Sequence, residues 1–178
     1  MKYLTKIEFY RKCTGPYWRN QQQRWMYLKP VIDILKASNA QSVLELGNNG
    51  INLTDNSDTM NFSDRLDKNL TYHIDATKVP WNIPDKKYDF FVALQVFEHL
   101  DPKRMKQVDV FNEACRVAKN VVISIPYCWR YKEPLHHNNI GDKIVRRWAS
   151  YRPFFDTILV KSNRLRKIYW WLTPEGEL

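Results

Sequence analysis

The sequence predicts an α/β protein: a mostly parallel sheet with helices on both faces, finished by an antiparallel C-terminal hairpin. Three observations carry this. From Ser42 onward, short β-branched and aromatic runs alternate with helical patterns, as in a sheet layered with helices. Between two of those runs, the segment Pro102 to Lys119 sets Met105, Val108, Phe111, Cys115 and Ala118 three or four residues apart. That is the stripe by which a helix covers a sheet, and a strand-helix-strand crossover makes its strands parallel. Finally, FFDTILVKS (Phe154 to Ser162) and RKIYWWLT (Arg166 to Thr173) are joined only by NRL, short enough for a hairpin.

The chain opens with a basic, aromatic stretch, YRKCTGPYWRNQQQRWMYLKP, in which QQQRWMY holds good helix formers. PVIDILKASN comes next as a helix that Pro30 starts, with Val31, Ile32, Ile34 and Leu35 on its apolar side. The strand runs are SVLELG, DTMNF (Asp58 to Phe62), LTYHID (Leu70 to Asp75), YDFFVALQ (Tyr88 to Gln95) and NVVISIP (Asn120 to Pro126). After Pro126, YCWRYKEPLHHNNIGD reads as a loop, and a short helix runs through Ile144 and Trp148. Between Gly50 and DTMNF too few residues remain for a crossover helix, which generally needs a connection of about 10 residues or more. That helix is expected to be absent or reduced to a turn, with the Pro30 to Asn39 helix covering the sheet in its place.

With 178 residues, 44% of them hydrophobic and 26% charged, the chain is expected to form one domain rather than a disordered polymer. Its parts are a helical arm over 1–41, a core over 42–126, and a loop, short helix and hairpin over 127–178. No run approaches the roughly 18 apolar residues of a spanning helix, and MKYLTKIEFYRKC is too charged for a signal peptide, so a soluble, cytoplasmic protein is expected. Cys13, Cys115 and Cys128 have neither CxxC spacing nor neighbouring histidine pairs, which argues against a disulfide framework or a zinc site. The net charge of +9 favours anionic partners without choosing among nucleic acid, phosphorylated metabolites and lipid headgroups.

In a parallel sheet, ligands bind beyond the carboxyl ends of the strands. Those ends carry Glu45, Gly47 and Gly50 after the first run, Asn61 after the second, Asp75 after the third and Gln95 to His99 after the fourth. Over Ser42 to Pro126, VLELGNNG, HIDATKVPW and YDFFVALQVFEHLDP together resemble the class I S-adenosylmethionine-dependent methyltransferases. The resemblance implies a Rossmann-like sheet, the cofactor S-adenosylmethionine, and methyl transfer to an acceptor. It also implies that Glu45, Gly47, Asn48 and Gly50 lie against the methionine part. Asn61 then stands where the family has a ribose-binding acid, Asp75 with Ala76 meets the adenine, and Gln95, Glu98 and His99 border the methyl group. Asn48 and Asn49 depart from the family's glycine pattern, and an amide at 61 offers less acceptor capacity than a carboxylate.

Each of these residues has a plainer reading. Gly47 can simply permit a turn, Asp75 can cap one, and Glu98 with His99 can begin a solvated helix. His136 and His137 in the long loop are the candidate catalytic bases, or ordinary polar loop residues. Adjacent histidines seldom point the same way, so no metal is predicted. The tryptophans serve as core or as base-stacking surfaces. The expected function is methyl transfer to a small or medium acceptor, an anionic one among the candidates. The alternative is a catalytically degenerate domain of the same fold that binds nucleic acid or protein through its basic face. Acceptor and oligomeric state are not legible in the residues.

Overall fold

The computed structural model describes residues 1–13, 21–63, 69–100, 106–130, 138–149, 151–161 and 164–174. Helix α1 spans Lys6–Lys12 and α2 spans Gln21–Ala37. Strands β1 (Val43–Leu46), β2 (Ser57–Asn61), β3 (Tyr72–His73) and β4 (Tyr88–Leu94) come next, then a single 3-10 turn at Phe97–His99. Helix α3 (Lys106–Val117), β5 (Ala118–Pro126), α4 (Asp142–Trp148), β6 (Phe155–Lys161) and β7 (Arg164–Leu172) complete the chain. The seven strands form one sheet in the order β3-β2-β1-β4-β5-β7-β6. The first five strands pair in parallel; β7 runs antiparallel to both β5 and β6. The predicted crossover and hairpin are both present.

Period-two burial sends alternate residues to two cores. Val43, Phe90, Val92, Val122 and Ile168 face α1 and α2, which bring Phe9, Val31, Ile32 and Leu35. Leu44, Leu46, Phe91, Val121 and Trp171 face α3 and α4, which bring Val110, Phe111, Ala114, Val145 and Trp148. Helices therefore cover both faces.

The first crossover has no helix: residues 47–56 connect β1 to β2 by turns and bends. The chain's own N-terminus occupies that layer. Leu4 N donates to Leu53 O at 2.8 Å and Asp55 N to Lys2 O at 3.0 Å, pairing the two segments around an antiparallel bridge at Tyr3 and Thr54. Thr5 caps α1 through a reciprocal capping box with Glu8, so the segment ends in a fixed helix start.

Four features differ most from the sequence reading. Pro30 lies inside α2 rather than starting it, because the helix formers from Gln21 onward extend the helix upstream at the cost of one missing amide donor. Of LTYHID only Tyr72 and His73 are strand; as an edge with one neighbour, β3 has half the usual ladder. Helix α3 buries Gln107, Val110, Phe111, Ala114 and Cys115, leaving Val108 half-buried, so the covering stripe is rotated from the one expected. Strand β7 starts two residues earlier than expected, placing Lys161 opposite Arg164. No helix among the described residues is long and apolar enough to cross a membrane.

Candidate functional site

The carboxyl ends of β3, β2, β1 and β4 lie side by side, and the register brings the predicted residues into one row. His73 is level with Asn61, Gly47 N donates to Met60 O at 2.9 Å, and Leu46 is level with Ala93, two residues before Gln95. Four adjacent strands at about 4.8 Å spacing give a ledge roughly 14 Å long, with Asp75 at one end and Gln95 at the other.

At the centre, β1 ends in Gly47, whose φ of +69° disfavours an L side chain, and a Cβ there would come within 2.8 Å of Val96 Cγ2. The glycine lets the β1 loop close against the β4 tip. Asn48 organises the turn beyond it: its Nδ2 donates to Asn52 Oδ1 at 2.6 Å and its Oδ1 accepts from Gly50 N at 3.3 Å. Asn49 and Gly50, at φ +57° and +83°, complete the turn. The asparagines replace the absent helix with side-chain turn bonds. Glu45 is buried, and its Oε1 accepts from Leu53 N at 2.7 Å, tying the strand to the far end of its loop. Glu45, Gly47 and Asn48 line a hollow roofed by Phe9, Arg24 and Tyr27 from the N-terminal helices. Its enclosed volume of about 40 Å³ is space for very few waters.

At the β3 end, Asp75 Oδ1 accepts from Thr77 N at 2.9 Å and Thr77 Oγ1 at 2.8 Å. These bonds, the backbone one first, hold its carboxyl below the usual aspartate range although the residue is exposed. Asp75 thus caps a turn, as the plainer reading has it, while sitting on the ledge. Ala76 is buried, and its carbonyl accepts from Trp81 Nε1 at 3.0 Å. Trp81 stacks on Phe91, and its backbone N donates to Glu113 Oε1 of α3 at 2.6 Å. Arg116, bonded to Glu113 and to Trp81 O, locks this loop to the helix. Asn61 uses Oδ1 to accept from Phe62 N at 2.9 Å. That bond takes one of the two lone pairs of the amide oxygen, which leaves the other and the amide Nδ2 for a ribose.

The β4 end is the most unusual. Gln95 has φ +59°, sparsely populated for a residue with a side chain. Its Nε2 donates to Ser124 Oγ at 3.1 Å, and its Oε1 accepts from Arg166 Nε at 2.9 Å. The 3-10 turn is pinned by Gln107 Nε2, which donates to Phe97 O and Leu100 O, and by Phe97 packing on Trp148. Glu98 is only 1% exposed and its Oε2 has no hydrogen-bond partner. Burial pushes its carboxyl up to about 8, outweighing its own backbone amide and the charge of Arg166. A solvated helix start is therefore excluded for Glu98, whereas His99 is half-exposed, with Nε2 3.9 Å from Glu98 Oε1. His136 and His137 lie outside the described residues, as do 131–135.

Arg166 was not singled out in the sequence. It lies over the rings of Tyr27 and Trp129, at 5.1 and 4.9 Å from their centroids. Three elements distant in sequence, α2, the segment after β5, and β7, meet here beside Gln95. One of three basic residues that open β7, Arg164, Arg166 and Lys167, carries no signal of this. Among the described residues no cluster of His, Cys, Asp or Glu could hold a metal ion, and none of the three cysteines is in a disulfide.

No protein-family model and no curated protein sequence matches the chain. Solved structures do match its fold. Magnesium protoporphyrin IX methyltransferase (ChlM) from Synechocystis PCC 6803, crystallised with bound S-adenosylmethionine, is 12% identical with a TM-score of 0.68, over 96% of this chain and 92% of that one. The PH0226 protein from Pyrococcus horikoshii OT3 is 14% identical with a TM-score of 0.66, over 88% and 92%. The methyltransferase domain of bacterial CtHen1 is 19% identical with a TM-score of 0.59, over 82% and 98%. The mostly parallel seven-stranded sheet with its antiparallel C-terminal strands and flanking helices matches the methyltransferases among these neighbours: the chain has the fold of the class I S-adenosylmethionine-dependent methyltransferases.

Proposed function

We propose that the protein is an S-adenosylmethionine-dependent methyltransferase acting in the cytoplasm on a small or medium acceptor. The observation that carries this reading is the ledge: Asp75, Asn61, Gly47 and Gln95 at the adjacent ends of four parallel strands. Its residues suit the cofactor's chemistry. The hollow over Glu45, Gly47 and Asn48 takes the methionine ammonium beside a buried acid, and its small volume leaves the adenosine to lie outward along the ledge. Asn61 Nδ2 donates to a ribose hydroxyl. Asp75 keeps Oδ2 for the adenine amino group while Thr77 holds Oδ1.

The bound cofactor supplies a methyl group on a sulfonium, which a nucleophile displaces. The protein's part is alignment, water exclusion and proton removal. Gln95, held in a left-handed conformation by Ser124 and Arg166, sets the wall at the methyl end. Glu98 and His99 border the same place, and His136 or His137 takes the acceptor's proton. The net charge of +9 and Arg166 beside Gln95 support an anionic acceptor.

Isothermal titration with S-adenosylhomocysteine tests the reading. Asp75→Asn retains the Thr77 cap but replaces the second carboxylate oxygen, so cofactor affinity should fall roughly tenfold for one lost bond to a charged group, with folding unchanged. Equal affinity in the variant would remove Asp75 from the site.

A further inference from the structure

The sheet face away from the glycine loop carries a second cleft. The hollow at Glu45 opens on the side covered by α1 and α2, whereas this cleft lies between α4 and the hairpin, on the side covered by α3 and α4. It encloses about 220 Å³, more than five times the other's 40 Å³. We propose that it is a separate binding site for a compact phosphorylated ligand of the sugar-phosphate or nucleoside-monophosphate class.

Two cations of the cleft stand apart from other basic residues of the surface. Several lysines elsewhere on the surface are neutralised by a neighbouring acid: Lys2 by Glu8, Lys29 by Asp33, Lys106 by Asp109 and Lys119 by Asp89. Arg146 of α4 and Arg152 just beyond it both line the cleft, are exposed, and have no acidic partner among the described residues. Two guanidinium forks lining one cleft suit the oxygens of a phosphomonoester, which can accept parallel N–H bonds from each.

The same cleft also holds the reverse chemistry, prearranged, with Asp142 one turn before Arg146 on α4. Asp142 accepts from Lys167 Nζ at 2.7 Å, Tyr169 Oη at 2.7 Å and Tyr127 Oη at 3.2 Å. Asp156 pairs with the same Lys167 at 2.9 Å, and the Lys167 side chain is only 6% exposed. One buried cation thus fixes two carboxylates at hydroxyl-accepting positions without an ordering cost when a ligand arrives. Val145, Ala149 and Trp171 give an apolar floor for the body of a ring. Size narrows the class, because drug-sized ligands occupy roughly 300–1,000 Å³ and this cleft holds less. A phosphate with one ring and its hydroxyls satisfies both the arginines and the carboxylates.

Glucose 6-phosphate, AMP, inorganic phosphate and a short single-stranded RNA are titrated into wild type and into Arg146→Gln/Arg152→Gln. Saturable binding of glucose 6-phosphate or AMP that exceeds binding of inorganic phosphate, and falls at least roughly tenfold in the double variant at unchanged Tm, is expected. Because both arginines are exposed, the variant should fold normally. Asp142→Asn serves as a check on the hydroxyl-accepting group, weakening the sugar phosphate but not inorganic phosphate. The proposal is overturned by no saturation at ~10 mM, by equal binding of inorganic phosphate, by indifference to the double substitution, or by RNA binding more tightly than AMP.

Discussion

Replacing Glu98 by Gln should invert the usual consequence of altering a buried residue, stabilising the protein at alkaline pH. Glu98 is 1% exposed, its Oε2 lacks a partner, and its carboxyl is raised from 4.5 to about 8. A carboxyl with a raised native pKa contributes its stability below the unfolded value and loses it as pH rises through the folded one. Between these limits the native state holds a proton that the unfolded chain has released. At about 1.4 kcal/mol per pH unit, wild type should lose about 4 kcal/mol between pH 5 and pH 8.5 from this residue alone. That is a large part of the 5–15 kcal/mol that holds a typical domain together. Glu98→Gln keeps shape and polarity but cannot ionise, so its stability should be nearly flat over the same window. Urea unfolding at half-unit pH steps reads the difference directly, with the m-value checking that the denatured state is unchanged. Parallel pH profiles for the two proteins would refute the reasoning, because they would mean that Glu98 reaches water or a compensating cation.

Three other substitutions probe the loop, the hairpin and the methyl end of the ledge. Gly47→Ala forces a side chain into φ +69° and a 2.8 Å contact with Val96, and should cost about 1–3 kcal/mol in urea unfolding; adding Val96→Ala should restore only the contact part. Lys167→Met unpairs Asp142 and Asp156 and should cost about 2 kcal/mol, less than the 3–5 of a fully buried broken pair because both acids still reach water. Burial raises the Asp142 carboxyl, but bonds from Lys167 and Tyr169 outweigh it and hold it below 3.8. That stabilisation is therefore present above pH 3.8 and lost as pH falls further, and the K167M deficit should shrink in acid. Arg166→Leu removes the bond to Gln95 and the cation over Tyr27 and Trp129; it should slow methyl transfer more than it weakens S-adenosylhomocysteine binding, as paired kinetics and titration would show.

The strands and their directions were legible because each signal was local. The apolar run in YDFFVALQ, the helical stripe before NVVISIP and the short link after FFDTILVKS each point to one arrangement, and β4, α3, β5 and the hairpin result from them. The missing crossover helix was legible by counting residues. Part of its replacement was legible too, since Val31, Ile32 and Leu35 pack on that face as expected; the bridge from Tyr3 to Thr54 was not, because it joins segments about fifty residues apart by backbone bonds that no side chain advertises. The strand-tip residues were readable as positions but not as environments. Glu98 and Asp75 are both acids after strands, yet Gln107 and Trp148 enclose the turn holding one while the other stays exposed. Arg166 was hidden for a similar reason: its significance arises from antiparallel β7, whose pairing sets it level with Pro126 at the functional end of the sheet.

A crystal structure with S-adenosylhomocysteine would decide whether the row of strand ends is a cofactor site. The adenine should lie beside Asp75 and Ala76, the ribose at Asn61 and the amino-acid end over Glu45 and Gly47, with the sulfur facing Gln95 and Glu98. A ligand bound elsewhere, or a ledge left empty by a well-folded protein at saturating ligand, would show that these residues meet for packing alone.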